Sequence, residues 1–331
     1  MRPPDFWYNQ NGSFFSALLA PAGWAYGLAS AIRQDRAEPW QAPIPVICIG
    51  NLVAGGQGKT PTALSVGAHF IGLGRSVHFL SRGYGGSLDG THRVDLTTHT
   101  SAEVGDEPLL LAATAPSWIS VDRQAGIEAA HAAGAEFVVM DDGFQNPSVK
   151  KDLSIIVIDG ETGFGNGRLI PAGPLREGVT VGLARAQAVV IIGEDRFKLE
   201  GLLSDIAKGY AQNPVQTFKA RLKPDAAALT LKDQKIYAFA GIGRPKKFFN
   251  TLLEIGCDLV GAKAFDDHHP FSENEVSSLL ELARSEGARL VTTAKDHVRL
   301  PDAQKKDVAI VSVTLDWSDA SALDSLLKPL I

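Results

Sequence analysis

The stretch that most constrains the fold is Val46-Ile47-Cys48-Ile49, which runs into Gly50-Asn51-Leu52-Val53-Ala54-Gly55-Gly56-Gln57-Gly58-Lys59-Thr60 and then into an apolar-periodic run over 62–71. Four apolar residues in succession suit a strand covered on both faces, the glycines permit a tight turn, and the periodic run suits a helix. The same rhythm returns in strand-like runs at 76–80, 135–140, 153–158 and 188–192, with helical runs at 107–114 and 124–133. Strands that are apolar throughout and alternate with helices predict an α/β fold: a mostly parallel sheet flanked by helices.

A chain of 331 residues, 45% hydrophobic and 21% charged, predicts about two globular domains. Around Lys223-Pro224-Asp225 the rhythm breaks into two short extended runs, read as a β-ribbon or linker. The division that follows is an N-terminal segment 1–36, a loop-bearing domain 37–214, a β-ribbon linker 215–235 and a smaller α/β domain 236–331. In that last part 236–240, 259–264 and 289–293 are strand-like, and 248–255 and 275–285 helical. Net charge is −5, from 32 basic and 37 acidic residues, which argues against nucleic acid as a partner and requires any anion to be met locally. Cys48 and Cys257 are far apart and Cys48 lies in an apolar run. Neither a disulfide framework nor a thiolate metal site is expected, and a reducing cytoplasm is.

The glycine loop carries the strongest chemical signal, and it resembles a Walker A loop, or P-loop. Backbone N–H groups of Gly55, Gly56, Gln57 and Gly58 at a helix N-terminus would cradle phosphates, Lys59 would reach the terminal ones, and the Thr60 hydroxyl would ligate Mg²⁺. Val53 stands where the usual pattern has its first glycine. The core is closer to the deviant loops of membrane-associated ATPases, whose additional lysine is Ala54 here. Magnesium also wants a carboxylate at the end of a neighbouring strand. Asp141-Asp142-Gly143-Phe144-Gln145 supplies two and Asp159 a competing one; the adjacent pair is favoured, because neighbouring carboxylates need a cation or donors to hold them.

Other candidates sit in loops. Ser81-Arg82-Gly83-Tyr84-Gly85-Gly86 follows a strand at its carboxyl end, where open α/β sheets place ligands, so Arg82 could meet a phosphate. Val104-Gly105-Asp106-Glu107-Pro108 opens a helix, with Asp106 either its cap or a general base. The long loop from Gly163 through Asn166 and Pro171 to Arg176 and Glu177 suits a site. Arg176 is a candidate for transition-state charge and Glu177 for metal contact, or the two form a surface pair. Gly241-Ile242-Gly243-Arg244-Pro245 could face nucleotide across a cleft. Asp266-Asp267-His268-His269-Pro270-Phe271 precedes Ser272-x-x-Glu275, a capping box that leaves the histidines open to acid–base work or to a solvated loop.

No charge falls between Asp5 and Arg33, a stretch that holds Phe6, Trp7, Tyr8, Phe14, Phe15, Leu18, Leu19, Trp24 and Tyr26. Asn9, Gln10, Asn11, Pro21 and Gly23 argue against a transmembrane span, and Asp5 and the aromatics against a secretory signal. Two readings stay open: a helix in a membrane interface with Arg33 and Arg36 near phosphate headgroups, or a helix packed on the protein's own core.

Taken in order, the Gly55-to-Pro61 loop, the Ser81-to-Gly86 run, Val104 to Pro108, Asp141 to Gln145, Gly163 to Glu177, Asp267-His268-x-Pro-Phe271 and Thr292-Thr293-x-Lys295-Asp296 resemble the tetraacyldisaccharide 4'-kinase family. The resemblance implies two P-loop-like α/β domains joined by a β-ribbon. It also implies phosphorylation of the 4'-hydroxyl of a lipid A disaccharide 1-phosphate precursor by ATP and Mg²⁺, peripherally at the cytoplasmic face of the Gram-negative inner membrane. The implied partners are the lipid disaccharide and the membrane interface, with no obligate protein partner. Carried over by motif, Lys59 and Thr60 bind phosphate and magnesium, Asp141, Asp142, Gln145 and Glu177 associate with the metal, and Asp106 with His268 forms the catalytic pair. Lys59 and Arg176 join that pair as catalytic candidates, and Arg82, Tyr84 and Asn166 are candidates for the substrate. A substrate with four acyl chains stays in the bilayer, which favours interfacial docking of the N-terminus. Ala294 departs from the glutamate expected in the late motif and puts a second-domain contact in question. The alternatives are a membrane-associated P-loop ATPase switch and a kinase of a soluble small metabolite.

Overall fold

The computed structural model describes residues 4–9, 12–210 and 215–331. Met1 to Pro3, Gln10 and Asn11 of the expected N-terminal segment, and residues 211–214 of the expected first domain, lie outside the described residues. In chain order the strands are β1 Val46–Gly50, β2 Val77–Ser81, β3 Thr91–Arg93, β4 Ser117–Ser120, β5 Phe137–Asp141, β6 Leu153–Asp159, β7 Ala188–Ile192, β8 Gln216–Pro224, β9 Lys235–Ala240, β10 Asp258–Ala264, β11 Arg289–Thr293, β12 Ala309–Val311 and β13 Val313–Trp317. The larger sheet has the order β13-β8-β7-β6-β1-β5-β2-β4-β3, and the smaller β10-β9-β11-β12. The larger sheet is parallel from β8 to β4 and antiparallel only where β13 meets β8 and β3 meets β4.

The pattern of two-sided burial explains the central strands. Ile47 and Ile49 enter one core with Val139, Ile155, Val157 and Val190, while Val46 and Cys48 enter the opposite core with Val138, Met140, Ile156 and Ile158. Each such side chain contributes about 1.5–3 kcal/mol on full burial. Because these strands run parallel, their carboxyl ends share one edge. Gly50 of β1, Ser81 of β2, Asp141 of β5 and Asp159 of β6 are the last residues there.

The sequence reading assigns all of 236–331 to the smaller domain, and the structure corrects this for the C-terminus. β13 pairs with β8 from Val313↔Pro224 to Trp317↔Ala220. Leu315, with Leu323, Leu326 and Leu327 of the helix Ala320–Leu327, is buried in a core of the larger sheet. These leucines find a ready apolar face there; the two extended runs expected around Lys223-Pro224-Asp225 are instead one strand, β8, followed by the helix Ala226–Leu229, and the antiparallel partner of β8 comes from the end of the chain. β8 itself, read as linker, is a strand of the larger sheet.

The helix Phe14–Asp35 turns only a narrow seam to the protein, with Ser16 and Gly23 buried. The Ser16 hydroxyl donates to Ala172 O (2.7 Å), and a side chain at Gly27 would collide with Leu169. Phe14, Phe15, Leu18, Trp24, Tyr26, Leu28 and Ile32 are exposed. The helix is long and apolar enough to cross a membrane by length and composition, and only 11% of its most apolar window is buried.

Candidate active site

The phosphate loop ends at Gly58, whose φ of 89° is left-handed and natural only for glycine; the helix Lys59–Gly72 starts immediately after it. Nothing stands within 4 Å of where a side chain would project from Gly55 or Gly56, so the cradle is open toward solvent. Val53, the departure from the usual motif, is buried and bridges antiparallel to Leu175. Ala54 N donates to Pro174 O and Arg176 N to Leu52 O, both at 2.8 Å. The first half of the loop is thereby pinned to the segment that carries Arg176 and Glu177. A glycine at 53 would leave that contact without a side chain.

Register places the acids. Ile49 lies opposite Asp141 in the β1–β5 ladder, and the Thr60 hydroxyl donates to Asp141 Oδ2 at 2.8 Å. The other oxygen, Oδ1, is buried without a hydrogen-bond partner. Burial pushes the Asp141 carboxyl up to about 7, against the pull of Lys59 and the Thr60 hydrogen bond. A buried carboxylate with one orphaned oxygen beside a threonine hydroxyl and a phosphate loop fits a magnesium ion. Among the described residues no cluster of three His, Cys, Asp or Glu side chains able to hold a metal occurs.

Asp142, by contrast, is already engaged. Arg176 grips it through Nη1–Oδ1 (2.7 Å) and Nη2–Oδ2 (3.2 Å), and Lys59 Nζ stands 3.5 Å from Oδ2. Burial alone would raise its pKa, but those two cations outweigh burial and hold it below the usual carboxylate range. Burial depresses Lys59, with Asp142 opposing. Gln145 donates to Asn51 O (2.8 Å) and to Glu177 Oε1 (3.0 Å), and Glu177 also pairs with Arg185. Of the residues expected at the metal, Thr60 and Asp141 therefore face each other, while Asp142, Gln145 and Glu177 form the bonded wall behind them. Asp159, the competing acid, is bound by Arg244 and lies 3.5 Å from Lys247. Burial raises it, yet Arg244 more than compensates and the pKa falls below the usual range. Its backbone N donates to Gln57 Oε1 at 2.8 Å. Arg244 thus clasps the smaller domain to the strand next to the phosphate loop.

The second cluster is shared between the two sheets. Gly105, with φ 89°, lets the chain turn where a side chain would strike Tyr84 O, and Asp106 begins the helix Asp106–Ala112. Asp106 does not cap that helix through its side chain. Its Oδ2 meets His268 Nδ1 at 2.8 Å and Arg299 Nε at 3.3 Å. His268, itself at φ 59°, is fixed by its N–H to Gly241 O at 3.0 Å. Its Nε2 lies 3.4 Å from Lys295 Nζ, and Lys295 reaches Glu107 Oε1 at 2.8 Å. His269, the neighbouring histidine, stacks on Phe265 and contacts Glu275, whose capping box with Ser272 is present as expected. Around Ala294, Thr293 caps the short helix Ala294–His297, and Asp296 accepts from Gly241 N at 2.9 Å.

Of the substrate candidates, Arg82 and Tyr84 are exposed at this edge, and the Tyr84 ring lies 6.5 Å from that of His268. The Asn166 amide is placed elsewhere: it donates to Phe6 O (3.2 Å), Ser16 Oγ (3.0 Å) and Ala172 O (3.0 Å), holding the N-terminal segment. The sequence reading passed over Arg123, a buried guanidinium that bonds Ser81 O and Ser120 O while its Nε lacks a partner. It also passed over the ion-pairing roles of Lys295 and Arg299. A lysine in a quoted motif was the available signal for the first; nothing in the local pattern distinguishes Arg123 or Arg299.

A parallel sheet, a P-loop and an acid–imidazole pair on the same edge define the class: a P-loop phosphotransferase. A family model described as tetraacyldisaccharide-1-P 4'-kinase matches residues 15–331. Among curated proteins, the chain is 52% identical to the tetraacyldisaccharide 4'-kinase of Rhodospirillum centenum over 100% of this chain and 97% of that protein. It is 49% identical to that of Paramagnetospirillum magneticum over 98% of each. A crystal structure of LpxK from Aquifex aeolicus in complex with ATP superposes with a TM-score of 0.76 at 26% identity, covering 96% of this chain and 99% of that one. The chain belongs to the tetraacyldisaccharide-1-P 4'-kinase family and is a kinase.

Proposed function

We propose that this kinase transfers the γ-phosphate of ATP to the 4'-hydroxyl of a tetraacyl disaccharide 1-phosphate, the lipid A precursor, working peripherally at the cytoplasmic face of the inner membrane. The observation that carries the reading is the 2.8 Å contact between Asp106 and His268 on the sheet edge that also bears the open phosphate cradle. Phosphoryl transfer asks for positioning and charge neutralisation more than covalent chemistry. The amides of Gly55 to Thr60 and the Lys59 ammonium hold the phosphates. Thr60 and Asp141 would hold Mg²⁺, which when bound neutralises charge on the phosphate oxygens. The Arg176–Asp142 ion pair keeps Asp142 charged beside Lys59, and so keeps that ammonium aimed at the cradle. The Asp106–His268 pair accepts the acceptor hydroxyl's proton as the new bond forms, a contribution of about 10²- to 10⁴-fold. Arg82, exposed at this edge, offers positive charge to an anionic acceptor.

The exposed aromatic face of Phe14–Asp35 supports docking in the membrane interface, with Arg33 and Arg36 at headgroup level. Removing residues 1–36 should release the enzyme from vesicles; unchanged co-sedimentation would refute the docking. Labelled-ATP transfer to a panel of lipid disaccharides tests the activity. Wild type should label the 4'-position and Lys59→Ala should do so about 10²- to 10³-fold more slowly. Vigorous transfer by Lys59→Ala, or labelling of soluble sugars alone, would contradict the assignment.

A further inference from the structure

We propose that Lys295 is a positioning residue for His268: its ammonium, tethered by Glu107, holds the imidazole in the tautomer that donates from Nδ1 to Asp106 and opposes protonation at Nε2. The inference rests on the kinase reading of the Asp106–His268 pair.

An ammonium has donors and no acceptor, so at 3.4 Å Lys295 Nζ can bond only an Nε2 that carries a lone pair. The proton of the neutral ring must then sit on Nδ1, facing Asp106 Oδ2 at 2.8 Å. Lys295 is itself fixed. Glu107 Oε1 holds its head at 2.8 Å. Its helix is capped by Thr293 and anchored through Asp296, which binds Gly241 N and Arg299. Burial opposes the charge on Lys295, but Glu107 outweighs burial and raises its pKa, so the ammonium persists. The charged and titratable groups around His268 are Asp106 and Glu107 on the helix of the larger domain, Tyr84 on the glycine turn, Asp267 (3.8 Å) on its own loop, and Lys295, Asp296 and Arg299 on the segment after β11. Asp106 Oδ2 faces Nδ1 and the Lys295 ammonium faces Nε2, so the two neighbours select between the ring's tautomers.

Removing the cation makes protonation easier and raises the His268 midpoint. Removing the anion that partly neutralises Lys295 lowers it. A merely structural role has no reason to produce opposite signs. The test is ¹⁵N-imidazole NMR of the nucleotide-free full chain, with the His268 signal identified by its loss in His268→Gln, beside the pH profile of kcat/KM for phosphoryl transfer. The wild type should show the Nδ1–H tautomer. In Lys295→Met the midpoint and the acid limb of kcat/KM should move to higher pH by about one unit, and in Glu107→Gln both should move lower. Lys295→Arg should restore the wild-type midpoint. An Nε2–H tautomer in the wild type, an unmoved midpoint in Lys295→Met, or same-sign shifts in the two variants would overturn the proposal. If the midpoints move oppositely while even wild type fails to phosphorylate lipid, the coupling is supported and the kinase reading of the pair falls; transfer with no shift in midpoint removes the proposal alone.

Discussion

The two halves of the site are built differently. The phosphate-gripping half lies within one sheet: β1 delivers the loop and β5 delivers Asp141 and Asp142, with the Ile49↔Asp141 register fixing their distance. The acceptor half is shared: Asp106 comes from the larger domain, His268 and Lys295 from the smaller, and the pair is 162 residues apart in the chain. The larger domain brings Asp106, Glu107, Asp159 and Glu161 to the contact, and the smaller brings Arg244, Lys247, His268, Lys295 and Arg299. A grip made inside one domain exists whether or not the second is docked. A base made by two domains exists only when they are, which links proton removal to docking.

That contrast can be broken at either half. Asp106→Asn should slow transfer by about 10²- to 10⁴-fold while leaving ATP affinity unchanged in calorimetry, because the phosphate loop is untouched. Lys59→Ala should cost about 10²- to 10³-fold and weaken ATP binding as well, while a distance probe between the domains stays at its wild-type value. Arg244→Ala leaves the buried Asp159 with only Lys247 and the Glu161 N–H as partners and should destabilise domain docking by roughly 1–3 kcal/mol in denaturant melts, the half-exposed guanidinium being partly screened by solvent. The pH dependence of that clasp follows from Asp159, whose folded pKa lies below its unfolded value. Its contribution is present above the ordinary Asp range and is lost as pH falls through the depressed folded pKa, and Asp159→Asn should flatten that acid-side loss. The smallest effect is expected for Asn166→Ala: about 1–2 kcal/mol of local stability, read as faster hydrogen exchange in Phe14–Asp35, with ATP KM unchanged.

The phosphate half was legible because its information is local. An apolar strand, glycines and Lys59-Thr60 fall in one window, and a strand ending in Asp141-Asp142 announces itself. The sequence favours the Asp141–Asp142 pair over Asp159 for the cation, but what sets the acids apart is not local: Arg244 engages Asp159 from another sheet, whereas Asp141 Oδ1 has no partner. The acceptor half was readable only through motif order, since no periodicity relates Asp106 to His268, Lys295 or Arg299. Val53, where the usual pattern has its first glycine, is buried and its backbone bridges to Leu175, a partner 122 residues away that no local pattern announces. The return of β13 was hidden for the same reason as the acceptor half: five residues with mixed burial acquire meaning only beside β8.

The most direct test of a base shared by two domains is a double-mutant cycle on single-turnover phosphoryl transfer with Asp106→Ala, His268→Ala and the double variant. If the two side chains act as one unit, the double variant will be about as slow as the slower single one. Rate losses that multiply across the cycle would mean that Asp106 and His268 act independently, and the shared base would be wrong.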